Sequence, residues 1–357
     1  MIGILLIIYG IRRWFLSIYN VIAPYQERKL VDIVFEERQL AKKIKILTIG
    51  GGTGLSSLLR GLKTHTSNIT AVVTVADDGG SSGRLRKELG ILPPGDIRNC
   101  LVALSYEESL MSELFKYRFE LGEGLTGHSF GNLFLAAMTG ISDGNFDLAV
   151  KRASNILSIR GKVLPISLDS ILIKAEYSEG NVIVGESNIS KEKKHINSIS
   201  LIPSNPSASP EVIEAINDSK AIIIGPGSLY TSIICNLLIP GIAEAIKNSN
   251  AKKIYICNVM TQPGETNCFK ASDHIKAIFS HTRFQIFDNI LINNLPPKDK
   301  VLLERYKNEG SVPVEIDDDE ISKLGINIIK APVISETNLV RHDPEKLSEA
   351  IFKFILN

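Results

Sequence analysis

The chain has 357 residues, of which 44% are hydrophobic, and a formal net charge of +1 at pH 7. This length allows one large or two ordinary domains, and the near-neutral charge argues against a nucleic-acid-binding protein. The four cysteines form no CxxC pair, which indicates a reducing compartment and excludes a cysteine zinc site.

The first 24 residues are strongly apolar and carry only Arg12 and Arg13 as charges. These charges follow the first apolar run, whereas a signal peptide places its charges before that run. We predict a hydrophobic anchor helix at 1–24, either one marginal span or an interfacial segment. The alternative is a helix packed on the domain or on a second subunit. Residues 25–43 indicate a charged amphipathic connector, whose basic end favours a cytoplasmic globular domain at the membrane face.

From residue 44 onwards, short apolar runs alternate with helical patterns. Runs at 44–49 and 69–75 each end in a glycine-rich loop that leads into a helix. Asp96 is the predicted N-cap of the next helix, and Asp343 that of the last one. Alternation of this kind predicts an α/β fold over 44–357: a Rossmann-like, mostly parallel sheet with helices on both faces.

The segment at about 162–205 differs from the rest of the chain in its residue pattern. Its runs are short and β-branched, and they are separated by polar turns and by a loop rich in proline and serine. We predict a β-rich insert here.

The loop after the first strand is an anion-site candidate. Glycine lets the backbone approach a ligand closely, and the following helix start offers unpaired N–H groups. No Gly-Lys-Ser/Thr follows, and Leu55 breaks the GxGxxG pattern. A tight strand-to-helix turn is the structural alternative. The predicted phosphate-binding residues of this loop are Gly51, Gly52, Thr53 and Gly54.

The loop after the second strand begins with Asp77 and Asp78, which suit Mg²⁺ or sugar hydroxyls. The following small residues can form a nest of donors, and Arg84 can pair with a phosphate. Arg86, Lys87 and Glu88 are predicted to form a solvated helix face. The nest residues are Gly79, Gly80, Ser81, Ser82 and Gly83.

Further polar residues stand at the starts of later helices. His128 and Asn132 are expected to face the same cleft, with Ser129 as a helix cap. His128 and Asp77 are weak catalytic candidates, because a single histidine is more often structural. A second glycine loop leads from a strand into a helix, as the loop after the first strand does. It adds Gly225, Gly227 and Ser228 as ligand-binding candidates, and the end of the next strand adds Asn258.

The motifs "IGGGTGLSSLLRGLK", "VADDGGSSGRLR", "LPPGDIRNCLVAL", "LTGHSFGNLFLAAM", "IGPGSLYTSIICNLLIPGI", "NVMTQPGET" and "NLVRHDP" resemble those of the YvcK/GlmR-type gluconeogenesis factors. These factors lie within the larger CofD-like family. The resemblance covers about residues 40–357 and implies a regulator that binds UDP-N-acetylglucosamine and affects envelope precursor supply and cell shape. It also implies that Tyr306 and Arg341 contact the nucleotide sugar.

Three functions remain open at this stage. The first is the nucleotide-sugar-binding regulator, with an envelope-precursor enzyme as partner. The second, implied by the CofD branch, is a Mg²⁺-dependent transferase of a phospholactate- or phosphoenolpyruvate-type group, with Asp77 or Asp78 holding the metal. The third is an NAD-binding oxidoreductase, which the broken glycine pattern weakens. A homo-oligomer is expected from analogy with similar folds alone.

Overall fold

The computed structural model describes residues 43–356 except 107, 179, 193, 337 and 338, together with residues 3, 9, 10, 13, 14, 39 and 40. The chain divides into two units, Met1–Lys43 and Ile44–Asn357. The described residues of the first unit before 43 are helical. The predicted anchor at 1–24 and connector at 25–43 lie mostly outside the described residues.

The second unit is an α/β structure, as predicted. Its strands are β1 (Ile46–Gly50), β2 (Ile69–Val73), β3 (Lys162–Pro165), β4 (Leu172–Tyr177), β5 (Val182–Val184), β6 (Ile196–Ile202), β7 (Ala221–Ile224), β8 (Lys252–Ile256), β9 (Asn289–Asn293), β10 (Asn327–Ala331), β11 (Ile334–Glu336) and β12 (Val340–His342).

Helices follow most of these strands. They are α1 (Gly52–Leu62), α2 (Gly80–Leu89), α3 (Gly95–Leu104), α4 (Glu108–Lys116), α5 (Phe130–Gly140), α6 (Phe146–Ile156), α7 (Glu186–Ile189), α8 (Pro210–Asp218), α9 (Cys235–Leu237), α10 (Ile242–Asn248), α11 (Ala271–Thr282), α12 (Lys300–Asn308), α13 (Asp318–Lys323) and α14 (Pro344–Leu356). A π-helical segment, Leu229–Ile234, leads into α9.

The central sheet is seven-stranded and parallel, in the order β10-β9-β8-β7-β1-β2-β3. Strands β1, β2 and β7 are almost completely buried, as expected of a parallel sheet flanked by helices. The chain runs from β1 to β3 on one side of β1 and from β7 to β10 on the other. The order therefore reverses between β1 and β7, which is where open α/β sheets bind ligands.

The β-rich insert is smaller than predicted. Strands β4, β5 and β6 form an antiparallel sheet in the order β5-β4-β6. The first strand of the predicted segment, β3, instead pairs in parallel with β2 and completes the central sheet. A short apolar run has the same pattern in the central sheet and in the insert, so the sequence could not show to which sheet β3 belongs.

Of the three predicted caps, two are confirmed and one is wrong. Asp343 Oδ1 accepts hydrogen bonds from the N–H groups of Glu345 and Lys346 at the start of α14. Ser129 likewise caps α5. Asp96, however, lies in the first turn of α3, where Pro94 is the N-cap and makes no side-chain cap.

Across the part of the chain that the structure describes, no single helix is both long and apolar enough to span a membrane. The segments Leu229–Leu237 and Ile242–Asn248 reach that length and composition only as a pair bent by 76°.

Candidate functional site

The glycine loops after β1 and β7 are in direct contact. A Cβ atom on Gly54 would lie 2.6 Å from the carbonyl oxygen of Pro226, so only glycine allows this approach. A Cβ atom on Gly227 would lie 3.4 Å from the carbonyl oxygen of Gly51. Asn258, which follows β8, donates its Nδ2–H to the Gly227 carbonyl at 2.9 Å. Three loops of the predicted site therefore meet at the carboxyl edge of the sheet.

The start of α1 already holds a carboxylate of the protein. Asp96 Oδ2 accepts a hydrogen bond from the backbone N–H of Gly52 at 2.8 Å. Burial, together with the nearby charge of Asp77, raises the pKa of Asp96 to about 6, although the bond from Gly52 and the charge of Arg98 oppose the shift. Asp96 thus already binds one of the backbone N–H groups that were predicted to bind phosphate.

The helical segment after β7 has a similar arrangement. Glu265 is 1% exposed. Its Oε2 accepts from the Tyr230 N–H at 3.0 Å, and its Oε1 accepts from Thr231 Oγ1 at 2.8 Å. Burial raises the pKa of Glu265, and these hydrogen bonds oppose the shift. Neither Asp96 nor Glu265 was predicted as a site residue, because the sequence does not show that their side chains reach the helical segments after β1 and β7.

The two aspartates after β2 have different surroundings. Asp77 Oδ1 accepts from the Gly79 N–H within its own loop at 2.9 Å. Asp78 Oδ1 accepts from the Ser187 N–H of the insert at 2.8 Å. The insert is tightly seated here, because a Cβ atom on Gly185 would lie 2.1 Å from Asp78 Oδ2. Among the described residues, no three acidic, histidine or cysteine side chains converge to hold a metal by themselves.

Asp77 also lies beside α3. A Cβ atom on Gly95 would lie 2.9 Å from Asp77 Oδ2 and 2.6 Å from Ser82 Oγ. The loop after β2 is therefore connected, through α3 and Asp96, to the loop after β1.

Four further residues were predicted to bind the ligand. Gly80 begins α2 at φ +46°, and the N–H of Gly83 donates to the Gly79 carbonyl at 2.9 Å. Ser228 precedes the π-helical segment, and Thr53 is exposed in α1.

His128 and Asn132 meet the loop after β2, as expected from their position at a helix start. His128 Nδ1 lies 2.8 Å from Ser81 Oγ, and Asn132 Nδ2 donates to Ser81 Oγ at 3.0 Å. Arg98 holds the other end of this network by donating to Ser129 Oγ at 2.6 Å and Asn132 Oδ1 at 2.9 Å. His128 is 2% exposed. Burial, together with the Arg84 charge, lowers the pKa of His128, which favours the neutral imidazole.

The two arginines of α2 have partners within the protein. Arg84 donates its Nη2–H to the Thr126 carbonyl at 2.8 Å, and its pairing with a phosphate stays a prediction. Arg86 is not part of a solvated face, so that prediction is wrong. It is half-buried, donates to Ser170 Oγ at 2.7 Å, and has a buried Nη1 without a partner among the described residues.

Tyr306 and Arg341 lie near the β8 end of the site. Tyr306 Oη accepts from the Val340 N–H at 3.2 Å. Tyr306 packs against a small apolar cluster that includes Val259, the residue after Asn258. Arg341 follows Val340 on β12 and is exposed. The two residues implied by the family resemblance therefore lie on segments that contact each other, and Tyr306 packs against the residue that follows Asn258.

Comparisons with known proteins agree with this architecture. Residues 46–334 match the family described as 2-phospho-L-lactate transferase CofD. A protein of Halalkalibacterium halodurans named "Gluconeogenesis factor" is 51% identical over 87% of this chain and 97% of its own length. The protein of the same name from Bacillus subtilis is 49% identical over 87% of this chain and 98% of its own length.

Two further comparisons extend this result. A relative from Nostoc sp. is 52% identical over 355 residues, which is 99% of this chain and 77% of the relative. The X-ray crystal structure of a Bacillus halodurans protein has a TM-score of 0.84 and 51% sequence identity, and covers 87% of this chain and 100% of that protein.

Proposed function

The chain belongs to the CofD family, and from that premise we propose that it is a regulator that binds UDP-N-acetylglucosamine. In this role it links carbon metabolism to the supply of cell-envelope precursors and to cell shape. The relatives that are named gluconeogenesis factors, at 49% and 51% identity over most of their length, support this branch of the family.

The observation that carries the proposal is the meeting of the strand-end loops between β1 and β7. Gly51 and Gly54 touch the Pro226–Gly227 turn, and Asn258 fixes that turn from β8. This junction is the usual ligand position of an open α/β sheet. Tyr306 and Arg341 lie beyond the β8 end, where a guanidinium suits a diphosphate and an aromatic ring suits a base or sugar.

The charge of the junction bears on how a diphosphate binds. Asp77, Asp96 and Glu265 bring negative charge to the loops, so a bare diphosphate is repelled there. Mg²⁺ commonly binds through one or two carboxylates together with substrate phosphates. Asp77 and Asp96 fit such a site better than Asp78, because both oxygens of Asp78 face the insert: Oδ1 accepts from Ser187, and Oδ2 lies against Gly185. When bound, Mg²⁺ would neutralise the diphosphate beside these carboxylates.

A Mg²⁺-dependent transferase of the CofD type is the second candidate. The family match and the Asp77–Asp96 pair favour it. An NAD-binding oxidoreductase is weaker still, because Leu55 breaks the GxGxxG pattern of a dinucleotide site.

Isothermal titration calorimetry on the full chain tests the proposal with UDP-N-acetylglucosamine, NAD and GTP, each with and without MgCl₂. We expect a micromolar dissociation constant for the nucleotide sugar, equivalent to about −8 kcal/mol. Tight binding of NAD or of a guanosine nucleotide, with no heat from UDP-N-acetylglucosamine, would replace the regulator by one of the other two functions.

The proposed regulator is a cytoplasmic protein that contacts the membrane through residues 1–24. Its expected partners are an envelope-precursor enzyme and a second copy of the chain. Fractionation of the full chain against a form that starts at Lys42 tests the anchor. Equal recovery of both forms without detergent would contradict it.

A further inference from the structure

The helical segment after β7 begins with a backbone group that is held by a distant side chain. The first N–H groups of any helix have no partner within that helix. Here the Ser232 N–H donates back to the Ser228 carbonyl at 3.0 Å, whereas the Tyr230 N–H donates to Glu265 Oε2 at 3.0 Å. Thr231 Oγ1 donates to the other oxygen of Glu265 at 2.8 Å. Glu265 therefore fixes the start of this segment.

The next residue of the segment, Ser232, packs between the two glycine loops. A Cβ atom on Gly51 would lie 3.4 Å from Ser232 Cβ, and one on Gly227 would lie 3.3 Å from the same atom. Ser232 is 5% exposed. Because protein interiors are packed at van der Waals contact, the position of Ser232 sets the distance between the loops after β1 and β7.

The turn that carries Glu265 is itself attached to the Tyr306 side of the site. Thr261, four residues before Glu265, donates its N–H to the Val312 carbonyl at 2.7 Å, and its Oγ1 accepts from the Val312 N–H at 2.9 Å. Ser311 donates its N–H to the Tyr306 carbonyl at 2.8 Å. The turn therefore joins the end of α12, which carries Tyr306, to the start of the helical segment after β7.

Glu265 is not placed to touch a ligand directly. Its side chain is almost completely buried, and each of its two oxygens already accepts a hydrogen bond from the helical segment. Its effect on a ligand is therefore indirect, through the backbone that it holds.

We infer that Glu265 is a positioning residue of the nucleotide-sugar site, which holds the two glycine loops at a fixed spacing from the segment that carries Tyr306. This inference rests on the proposed function, in which the loops bind the diphosphate and Tyr306 contacts the nucleotide sugar. A ligand that spans both places loses affinity when the site is no longer preorganised.

Calorimetry on the full chain with UDP-N-acetylglucosamine tests this role. Glu265→Ala removes both bonds and should weaken binding about tenfold. Glu265→Gln should stay within about threefold of wild type, because its amide can accept from the Tyr230 N–H and donate to the Thr231 hydroxyl. Asp317→Ala is the matched control, because Asp317 accepts the same two kinds of bond, from the N–H and hydroxyl of Ser272 at the start of α11.

The control separates positioning from a general loss of stability. Asp317→Ala should lower the midpoint of urea unfolding, as Glu265→Ala does, yet change the affinity less than about twofold. If Glu265→Ala does not fold, Thr231→Val takes its place, because this variant removes one of the two bonds and should weaken binding about threefold.

Wild-type affinity in Glu265→Ala or in Thr231→Val would overturn the positioning role and leave the proposed function intact. Equal losses of affinity in Glu265→Ala and Asp317→Ala would also overturn it, since the cause would then be lost stability. Binding in Glu265→Gln as weak as in Glu265→Ala would assign the effect to the charge instead of the hydrogen bonds, with the same consequence. If the wild-type chain does not bind the nucleotide sugar, the proposed function itself fails, and the positioning role with it.

Discussion

The carboxylate of Asp96 accepts a hydrogen bond from the backbone N–H of Gly52 at 2.8 Å. Gly52 opens the helix after β1, and a helix start of this kind usually attracts an external anion. Here a buried side chain from α3 supplies the negative charge. The same occurs after β7, where Glu265 accepts from Tyr230 and Thr231. Two carboxyl groups of the protein therefore occupy hydrogen-bond donors at the helical segments after β1 and β7.

Asp96→Ala should destabilise the fold by about 1–3 kcal/mol, because the Gly52 N–H is left buried without a partner. Asp96→Asn retains an acceptor oxygen and should change stability by less than about 1 kcal/mol. Urea unfolding at pH 7.5 measures both, with Asp288→Ala at an exposed position as control. Equal stability of the Ala and Asn variants would show that the bond to Gly52 contributes little.

Gly185→Ala should detach the insert from Asp78. Both Gly185 and Gly180 have positive φ, at +97° and +80°, so alanine strains the backbone at each position. They differ in space, since a Cβ on Gly185 meets Asp78 Oδ2 at 2.1 Å and one on Gly180 has no atom within 4 Å. Gly180→Ala is therefore the matched control. Hydrogen exchange of the insert amides should accelerate only in Gly185→Ala, and similar exchange in both variants would contradict the seating described above.

Arg341→Ala should weaken UDP-N-acetylglucosamine binding about tenfold, because the variant loses a guanidinium contact to the diphosphate. Its effect should be the same with UDP, which carries the same diphosphate. Lys353→Ala, an exposed cation on α14, controls for the change in net charge. Calorimetry with both ligands measures the effect. Unchanged affinity in Arg341→Ala would remove this residue from the site.

Asp77→Asn should abolish the effect of Mg²⁺ on nucleotide-sugar binding, whereas Asp78→Asn should preserve it. The reason is that both oxygens of Asp78 face the insert, at Ser187 and Gly185, whereas Asp77 accepts from Gly79 through Oδ1 and its Oδ2 lies beside Gly95 of α3. The rise in melting temperature on adding MgCl₂ to the ligand-bound chain is the measurement. The reverse pattern, with loss of the Mg²⁺ effect only in Asp78→Asn, would place the metal on Asp78.

His342 should make the fold less stable in mild acid. Burial lowers the pKa of His342 from its ordinary 6.5 to about 4, although a bond to the Cys257 backbone opposes the shift. Protonation therefore favours the unfolded chain, and stability falls as the pH drops from about 6.5 towards 4. The expected loss from this residue is about 2 kcal/mol between pH 7.5 and pH 5.

Urea unfolding of wild type and His342→Asn at both pH values isolates this contribution, since other groups titrate equally in both proteins. Exposed His195→Asn is the control. The stability difference between wild type and His342→Asn should change with pH by the stated amount. A difference that is independent of pH would contradict the buried, neutral state of His342.

The sequence by itself determined the architecture of the second unit. Buried β-branched runs such as Ile69–Val73 are each followed by glycine and a helical pattern. They predict a parallel sheet, because the intervening helices cover both faces of such a sheet. Local capping at Ser129 and Asp343 could also be predicted, since a cap is made with N–H groups two or three residues away.

Only the tertiary structure decided which distant groups share the site. Asp96 and Gly52 are 44 residues apart, and Ser187 reaches Asp78 over 109 residues. Sequence patterns report local periodicity, whereas these contacts depend on strand order and on how the insert packs. Three predictions were wrong for this reason: Asp96 was predicted to cap its own helix, Arg86 to lie in solvent, and Lys162–Pro165 to belong to the insert. Each outcome depends on contacts with residues that are distant in the sequence, and the neighbouring residues do not indicate those contacts.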